Sequence, residues 1–315
     1  MIDYSIFYQE SYQDPDSLPS YDLFISAFNS SDRVKNVFDK IDATRKVWLI
    51  HPEYYYTDIE IPNENDVVTP TIEEKDEVSQ VNLLINKLGD INNLNICIDI
   101  TGFMRHVLIF LIVKLKSKNI KSFTAVYSEP DSYSKDEQTE FSTTTSDSVR
   151  TIASISADVE SNYKNHLIIN VGYDHKIISQ VTSHLDNATI HPLFSFPSLS
   201  ADMYQQSASR AALSGEVTKK DEWISNRKFS PANNPFATAQ VISDLVKDID
   251  NTNDRKNNFY LSPLSTKAQT LGFAIYWALE GLERDISILL PECLTYSRET
   301  SKGIKRLWLY KVELF

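Results

Sequence analysis

Cysteine occurs twice, glycine seven times and proline twelve times in 315 residues. The two cysteines, Cys97 and Cys293, stand far apart in apolar runs. That excludes a disulfide-stapled scaffold and a cysteine metal knuckle, and both read as reduced thiols. So little glycine and proline also excludes collagen-like and low-complexity chains. The longest apolar run, residues 107–113, falls short of the roughly 20 residues that cross a bilayer. The start, Met1-Ile2-Asp3-Tyr4, lacks the basic and apolar regions of a signal peptide. The expectation is a soluble, cytoplasmic protein with no membrane partner. Basic residues are the minority, 31 against 43 acidic ones, for a net charge of −12. Such a field repels a phosphate backbone. The small basic groups, Arg105/His106, Lys114/Lys116/Lys118, Lys219/Lys220 and Lys302/Lys305/Arg306, are scattered and carry no interleaved aromatics. General nucleic-acid binding is therefore excluded.

What is present is a β-α rhythm. Residues 21–27 read as a buried strand, followed by the polar turn Asn29-Ser30-Ser31-Asp32 and a helix with Val34, Val37, Phe38 and Ile41 on one face. Residues 46–50 give a second strand, and 77–88 a helix with Val78, Val81, Leu84, Ile85 and Leu88 on one face. Between them, 52–72 reads as a long loop with the triplet Tyr54, Tyr55 and Tyr56. The clearest βαβ unit runs from a strand at 94–100 through Thr101-Gly102, a helix over 104–116 and a strand at 122–127. Its connection suits parallel pairing with a right-handed crossover. Its near-continuous apolar strand, Ile96 to Ile100, suits a sheet covered on both faces.

Beyond 131, Val149, Ile152, Ile155 and Val159 recur at nearly helical spacing. Strands follow at 166–171, 188–194 and 259–261, with helices after 172–175, near 200–213, over 236–249 and over 266–279; 215–235 reads as a loop. Strands at 286–290 and 306–312 read as a C-terminal edge hairpin. The expected fold is α/β, a Rossmann-like, mostly parallel three-layer sheet with an elaborated C-terminal region. One domain over 1–315 is expected. The subdivision left open is a Rossmann-like core at 1–214 and a C-terminal α/β region at 215–315.

In open α/β sheets, ligands sit outside the carboxyl ends of the strands. Two strand-to-helix turns there carry anion-compatible groups. In Asp99-Ile100-Thr101-Gly102-Phe103-Met104-Arg105, the Thr101 hydroxyl, the backbone N–H groups that Gly102 leaves approachable and the Arg105 charge can hold a phosphate. The alternative is a plain helix cap. In Leu261-Ser262-Pro263-Leu264-Ser265-Thr266-Lys267, Ser265 and Thr266 precede Lys267, a cation that opposes the dipole of the helix it opens. An anion would explain it, although the spacing is not that of a Walker A loop. Glu129, Asp174 and His175 are candidate acid and base residues at strand ends, with capping as the alternative. His51 with Glu53 and His184 with Asp186 read as local polar pairs, no metal set emerges, and no serine sits in a nucleophile elbow.

The Asp99-Ile100-Thr101-Gly102 turn and the Ser265-Thr266-Lys267 helix start resemble those of the CRISPR-associated Rossmann-like nucleotide-sensing domains of the CARF type. The second turn lacks the glycine of that pattern. The resemblance implies nucleotide or cyclic-oligonucleotide sensing and a place in antiviral defence. Tyr21-Asp22-Leu23-Phe24-Ile25-Ser26 is similar to the first strand of TIR domains, some of which bind or cleave NAD, though no matching catalytic glutamate is found. The expected partner is a nucleotide or phosphorylated small molecule, bound by Asp99, Thr101, Gly102, Arg105, Ser265, Thr266 and Lys267. Turnover by Glu129, Asp174 and His175 is the enzymatic alternative. A protein partner on Tyr54–Tyr56, or a place in a protein complex, is the nonenzymatic one. No cofactor is specified.

Overall fold

Strands form where Ile, Val, Leu and Phe run together, and turns form where Ser, Asn, Asp and Gly gather. The computed structural model describes residues 2–63, 66–133, 142–157, 162–185, 187–252, 256–284, 286–298 and 301–315. Within these ranges, the side chains of 133, 142–147, 216, 294 and 295 lie outside the description. The chain is α/β, with two mostly parallel mixed sheets and eight α-helices among the described residues. It divides into two compact units, and not near residue 214. The first comprises 7–143 and 294–315, the second 1–6 and 144–293.

The first unit contains β1 (Gln9–Tyr12), β2 (Tyr21–Ala27), α1 (Asp32–Lys40), β3 (Ala43–Leu49), β4 (Val67–Val68), α2 (Glu77–Leu88), β5 (Ile96–Asp99), α3 (Arg105–Ser117) and β6 (Ser122–Tyr133). The second contains β7 (Ser142–Thr151), β8 (Lys164–Val171), α4 (His175–His184), β9 (Thr189–Ser195), α5 (Met203–Ala211), α6 (Asp221–Ser225), β10 (Lys228–Ser230), α7 (Pro235–Thr252), β11 (Asn257–Pro263), α8 (Lys267–Leu279) and β12 (Ile286–Tyr296). The final strand, β13 (Ser301–Glu313), belongs to the first sheet.

The sheets run β1-β13-β6-β5-β2-β3-β4 and β10-β9-β8-β11-β12-β7. Their centres share one wiring. The chain moves outward from β2 to β3 and β4, then returns through α2 to lay β5 on the other side of β2, and continues to β6. It does the same from β8 to β9 and β10, returning through α7 to β11 and then β12. All these neighbours pair parallel. The strand order thus reverses between β2 and β5 in one unit and between β8 and β11 in the other. Each sheet gains one more strand from chain that has just left the other sheet: β6 leads into β7, which flanks β12, and β12 leads into β13, antiparallel to β6.

Several expectations change here. The near-helical spacing of Val149, Ile152 and Ile155 belongs to β7 and the turn after it, where Ile152 N–H donates to the Ile288 carbonyl at 3.0 Å. Three apolar residues at that spacing do not outweigh a strand partner, and Val159 lies outside the described residues. The C-terminal hairpin does not form, because β12 pairs with β11 and β13 with β6. Residues 215–235, read as a loop, contain α6 and β10. Burial explains the best-read helices: α3 buries Val107 to Ile112 without a break and α8 buries Ala268 to Ala278, so each is apolar around most of its surface.

Candidate functional site

The chemistry lies at the carboxyl ends of the parallel strands, separately in each unit. In the first unit, Ser26, the last residue but one of β2, stands beside Asp99, the last residue of β5. The Ser26 hydroxyl donates to Asp99 Oδ2 at 3.0 Å, and the Thr101 N–H donates to Oδ1 at 3.0 Å. Burial pushes the Asp99 carboxyl up, against the hydrogen bonds of Thr101 and Ser26 that favour its charge. Thr101 Oγ1 accepts the Ser128 N–H at 2.9 Å, and Arg33 at the start of α1 donates its guanidinium to the Ser128 carbonyl. Gly102 is required by a close crossing: a Cβ there would stand 2.0 Å from the Ala27 carbonyl oxygen. Asp99, Thr101 and Gly102 therefore build the turn, and Arg105 is the first residue of the helix it leads into.

That helix, α3, starts at Met104, which provides no side-chain cap. The Met104 N–H donates instead to His51 Nε2 at 3.1 Å. His51 Nδ1 therefore carries the ring proton and donates to Gln80 Oε1 at 2.7 Å. Gln80 Nε2 donates to the Lys75 carbonyl at 2.7 Å and lies 3.4 and 3.5 Å from the Glu53 carboxylate oxygens. Glu53 is buried, with His106 Nε2 at 3.4 Å. Burial works to raise its pKa, but His106 and His51 outweigh it and hold the carboxyl below its ordinary value.

The tyrosine triplet is mostly inward. Asn29 donates to the Tyr54 hydroxyl at 3.2 Å and the Ser30 N–H to the Tyr56 hydroxyl at 3.1 Å, leaving only Tyr55 exposed. Arg298 covers the loop, donating to the Tyr54 and Tyr55 carbonyls and standing over the Tyr56 ring. Glu129, buried on β6, accepts from Trp308 Nε1 at 2.7 Å and pairs with Lys305 at 3.1 Å, fastening β13 to β6.

In the second unit, Asn170 near the end of β8 accepts the Ser265 N–H at 3.2 Å. Ser265 Oγ lies 3.1 Å from Ser195 Oγ, which donates to Gln269 Oε1 at 2.8 Å; Gln269 Nε2 donates to Ser230 Oγ at 3.0 Å. These bonds tie the ends of β8, β9, β10 and β11 together. Thr266 caps α8 by accepting the Gln269 N–H at 3.2 Å while donating to the Ala232 carbonyl at 2.6 Å. Lys267 is the first residue of α8. Gly172 sits in a second close crossing, where a Cβ would stand 2.3 Å from the Leu264 carbonyl oxygen. Asp174 caps α4, accepting from the N–H groups of Lys176 and Ile177, and His175 is the first residue of that helix.

The expected residues thus assemble as two groups. Asp99, Thr101, Gly102 and Arg105 meet in the first unit, Ser265, Thr266 and Lys267 in the second. Glu129 lies in the first unit and Asp174 with His175 in the second, so no single unit gathers the three. Among the described residues no group of three or more His, Cys, Asp or Glu side chains could hold a metal ion, and no helix is long and apolar enough to cross a membrane. Asp186 lies outside the described residues. Cys97 and Cys293 are free thiols. Arg33, Gln80, His106, Asn170 and Gln269 take on these roles only in the structure, because partners such as Ser128, His51, Glu53, Ser265 and Ser195 lie well away from them in sequence. No protein-family model, curated protein or solved structure matches the chain.

Proposed function

We propose that the chain is a cytoplasmic sensor of nucleotides or phosphorylated metabolites in antiviral defence, built from two three-layer Rossmann-like units that bind ligand at their carboxyl edges without turnover. One observation carries this reading. In both units the helix that follows the strand at the order reversal opens on a cation, Arg105 in α3 and Lys267 in α8. A positive charge at a helix N-terminus opposes the macrodipole, while an anion bound there satisfies both. Reversal points are also where ligands bind in open α/β sheets.

The test is thermal unfolding of the purified chain with mononucleotides, dinucleotides, cyclic oligonucleotides and NAD. A true ligand at 100 times its Kd stabilises by about 2.7 kcal/mol. Titration calorimetry then gives two equivalents of a mononucleotide-sized ligand per chain, one lost in Arg105→Ala and the other in Lys267→Ala. No stabilisation by any member of the panel sinks the proposal.

A further inference from the structure

The outer edge of the second sheet carries chemistry that neither reversal uses. Among the described residues β10 ends that sheet and pairs with β9 alone. The Phe196 N–H donates to the Ser230 carbonyl at 2.8 Å. Backbone groups alternate along a strand, so those of Phe229, one residue earlier, face away from β9. Three residues, Lys228–Ser230, thus leave one N–H and one carbonyl on an open edge.

Phe229 shares a face of the sheet with its register partner Phe194 and with Phe196, two residues further along. Tyr204 of α5 meets all three rings at 5.6 to 5.8 Å. Phe194 is buried, yet Phe196 and Phe229, 6.3 Å apart, are 57% and 44% exposed. Neighbouring aromatic rings left in water mark an interaction surface when a charge stands beside them. Arg227 is that charge. It lies two residues before Phe229, on the same face, with its guanidinium over the Phe194 ring at 5.3 Å. Arg45, Arg284 and Arg298 each pair with a carboxylate. Arg227 pairs with none among the described residues, and its Nε is buried without a hydrogen-bond partner. In a chain of net charge −12, an arginine kept clear of carboxylates is the complement of an acid from another molecule.

We propose that this edge binds an extended peptide of a partner protein. The peptide adds a rung to β10 at Phe229, lays an aromatic or leucine side chain against Phe196 and Phe229, and sets a carboxylate on Arg227. Same-face residues of a strand are two apart, as Arg227 and Phe229 are, so anchor and acid are two apart in the peptide. A second copy of the chain or a nucleic acid fits less well, because either brings more negative charge to an acidic molecule. Peptide binding here needs neither Arg105 nor Lys267.

Fluorescence anisotropy of the whole chain with labelled eight-residue peptides tests this. The probes carry Phe-x-Glu or Glu-x-Phe between Ser and Thr flanks, since strand direction sets the order. One order is expected to bind at least about tenfold more tightly than its scrambled control. Replacing the peptide Glu by Gln, or Arg227→Gln in the protein, weakens binding about tenfold, and the two together no more than either alone. N-methylating the peptide one position at a time, which leaves the protein unaltered, weakens binding at least about threefold at the rung. Phe229→Ser removes binding with the melting temperature unchanged, and the bound peptide slows hydrogen exchange over 228–230. No binding in either order, an affinity indifferent to Arg227, or tighter binding of oligothymidylate than of any peptide overturns the assignment. Dimerisation in sedimentation that Phe229→Ser abolishes gives the edge to a second copy and overturns it as well.

Discussion

The two units solve the same crossing from opposite sides. In the first, the loop after β5 passes the end of β2 with the glycine on the β5 side, Gly102 against the Ala27 carbonyl. In the second, the loop after β11 passes the end of β8 with the glycine on the β8 side, Gly172 against the Leu264 carbonyl. What the shared wiring demands is one missing side chain at the reversal, not a glycine at a set position. Alanine at either site breaks the arrangement, because the obstacle is backbone and cannot swing aside. Overpacking of this kind costs about 1–3 kcal/mol or more. Gly102→Ala is expected to be the worse of the two, with its Cβ at 2.0 Å against 2.3 Å at Gly172. Denaturant unfolding gives the ranking, and hydrogen exchange resolved along the chain places each loss in its own unit. Equal, small losses would mean the crossings are looser than they look.

The polar chemistry separates the units further. The reversal in the first is lined by ionisable groups, Asp99 and, nearby, Glu53 and His106; in the second it is lined by Asn170, Ser265 and Gln269. The second unit keeps its buried imidazoles toward the amino ends of its strands, where His166 Nδ1 and His191 Nε2 lie 3.0 Å apart and His166 Nε2 lies 3.2 Å from Asn257 Oδ1. Burial lowers both, to about 4 for His166 and about 3 for His191, with nearby Lys164 adding to the effect. The folded state therefore refuses protons that the unfolded chain accepts. Stability from this pair is complete above the unfolded value near 6.5 and is lost as pH falls from there, through about 4 for His166 and about 3 for His191. The slope is at most about 1.4 kcal/mol per pH unit for each histidine that titrates. Hydrogen exchange at pH 7 and pH 5 is expected to show β8 and β9 losing protection, with the loss removed in a His166→Phe/His191→Phe chain that still folds.

Much of the fold could be read from local pattern, and the reasons are physical. α3 and α8 are so apolar that no other placement buries them, and the strands at 21–27, 96–100 and 166–171 are mostly apolar runs. Pairing was hidden, because β12 and β13 look like neighbours in sequence yet take β11 and β6 as partners. Nothing between 286 and 313 encodes that choice locally. The same limit explains the site. The turns at Asp99 and Ser265 show in the sequence as hydroxyls before a helix, but only strand order puts them on separate sheets. Thr101 and Thr266 were candidates for ligand contact on residue type, and their oxygens are engaged with Ser128 and with Ala232 and Gln269. A hydroxyl at a helix start serves the backbone equally well, and residue type does not distinguish the two uses.

The starts of α3 and α8 provide a finer comparison. Thr266 caps α8, while Met104 brings no side-chain cap to α3 and relies on His51 for its own N–H. Thr266→Ala removes the cap and the bond to Ala232, and is expected to cost about 1 kcal/mol. At α3 the corresponding loss comes through His51→Phe, which frees the Met104 N–H and Gln80 together. Its larger destabilisation, read by thermal unfolding, would show that a strand-end imidazole has taken over the role of a cap. If Thr266→Ala costs more than His51→Phe, the two starts are built on different principles.

The smallest expected effect bears most directly on why both helices open on a cation. Arg105 and Lys267 each put a positive charge where the helix dipole is already positive. Both side chains also interact within the chain, so with no anion at the site replacing either with glutamine sets a lost interaction against the relieved dipole and changes stability by no more than about 1 kcal/mol at low ionic strength, less in salt. With a phosphorylated ligand bound the same substitution destabilises, because it removes an attraction. Each variant should therefore melt close to the parent without ligand and below it with ligand, and salt should shrink the ligand-dependent difference. A variant that melts below the parent in both conditions would assign that cation to the packing of its own unit. The two positions are independent trials: agreement between them ties the charge to the shared wiring, and disagreement confines the anion site to one sheet.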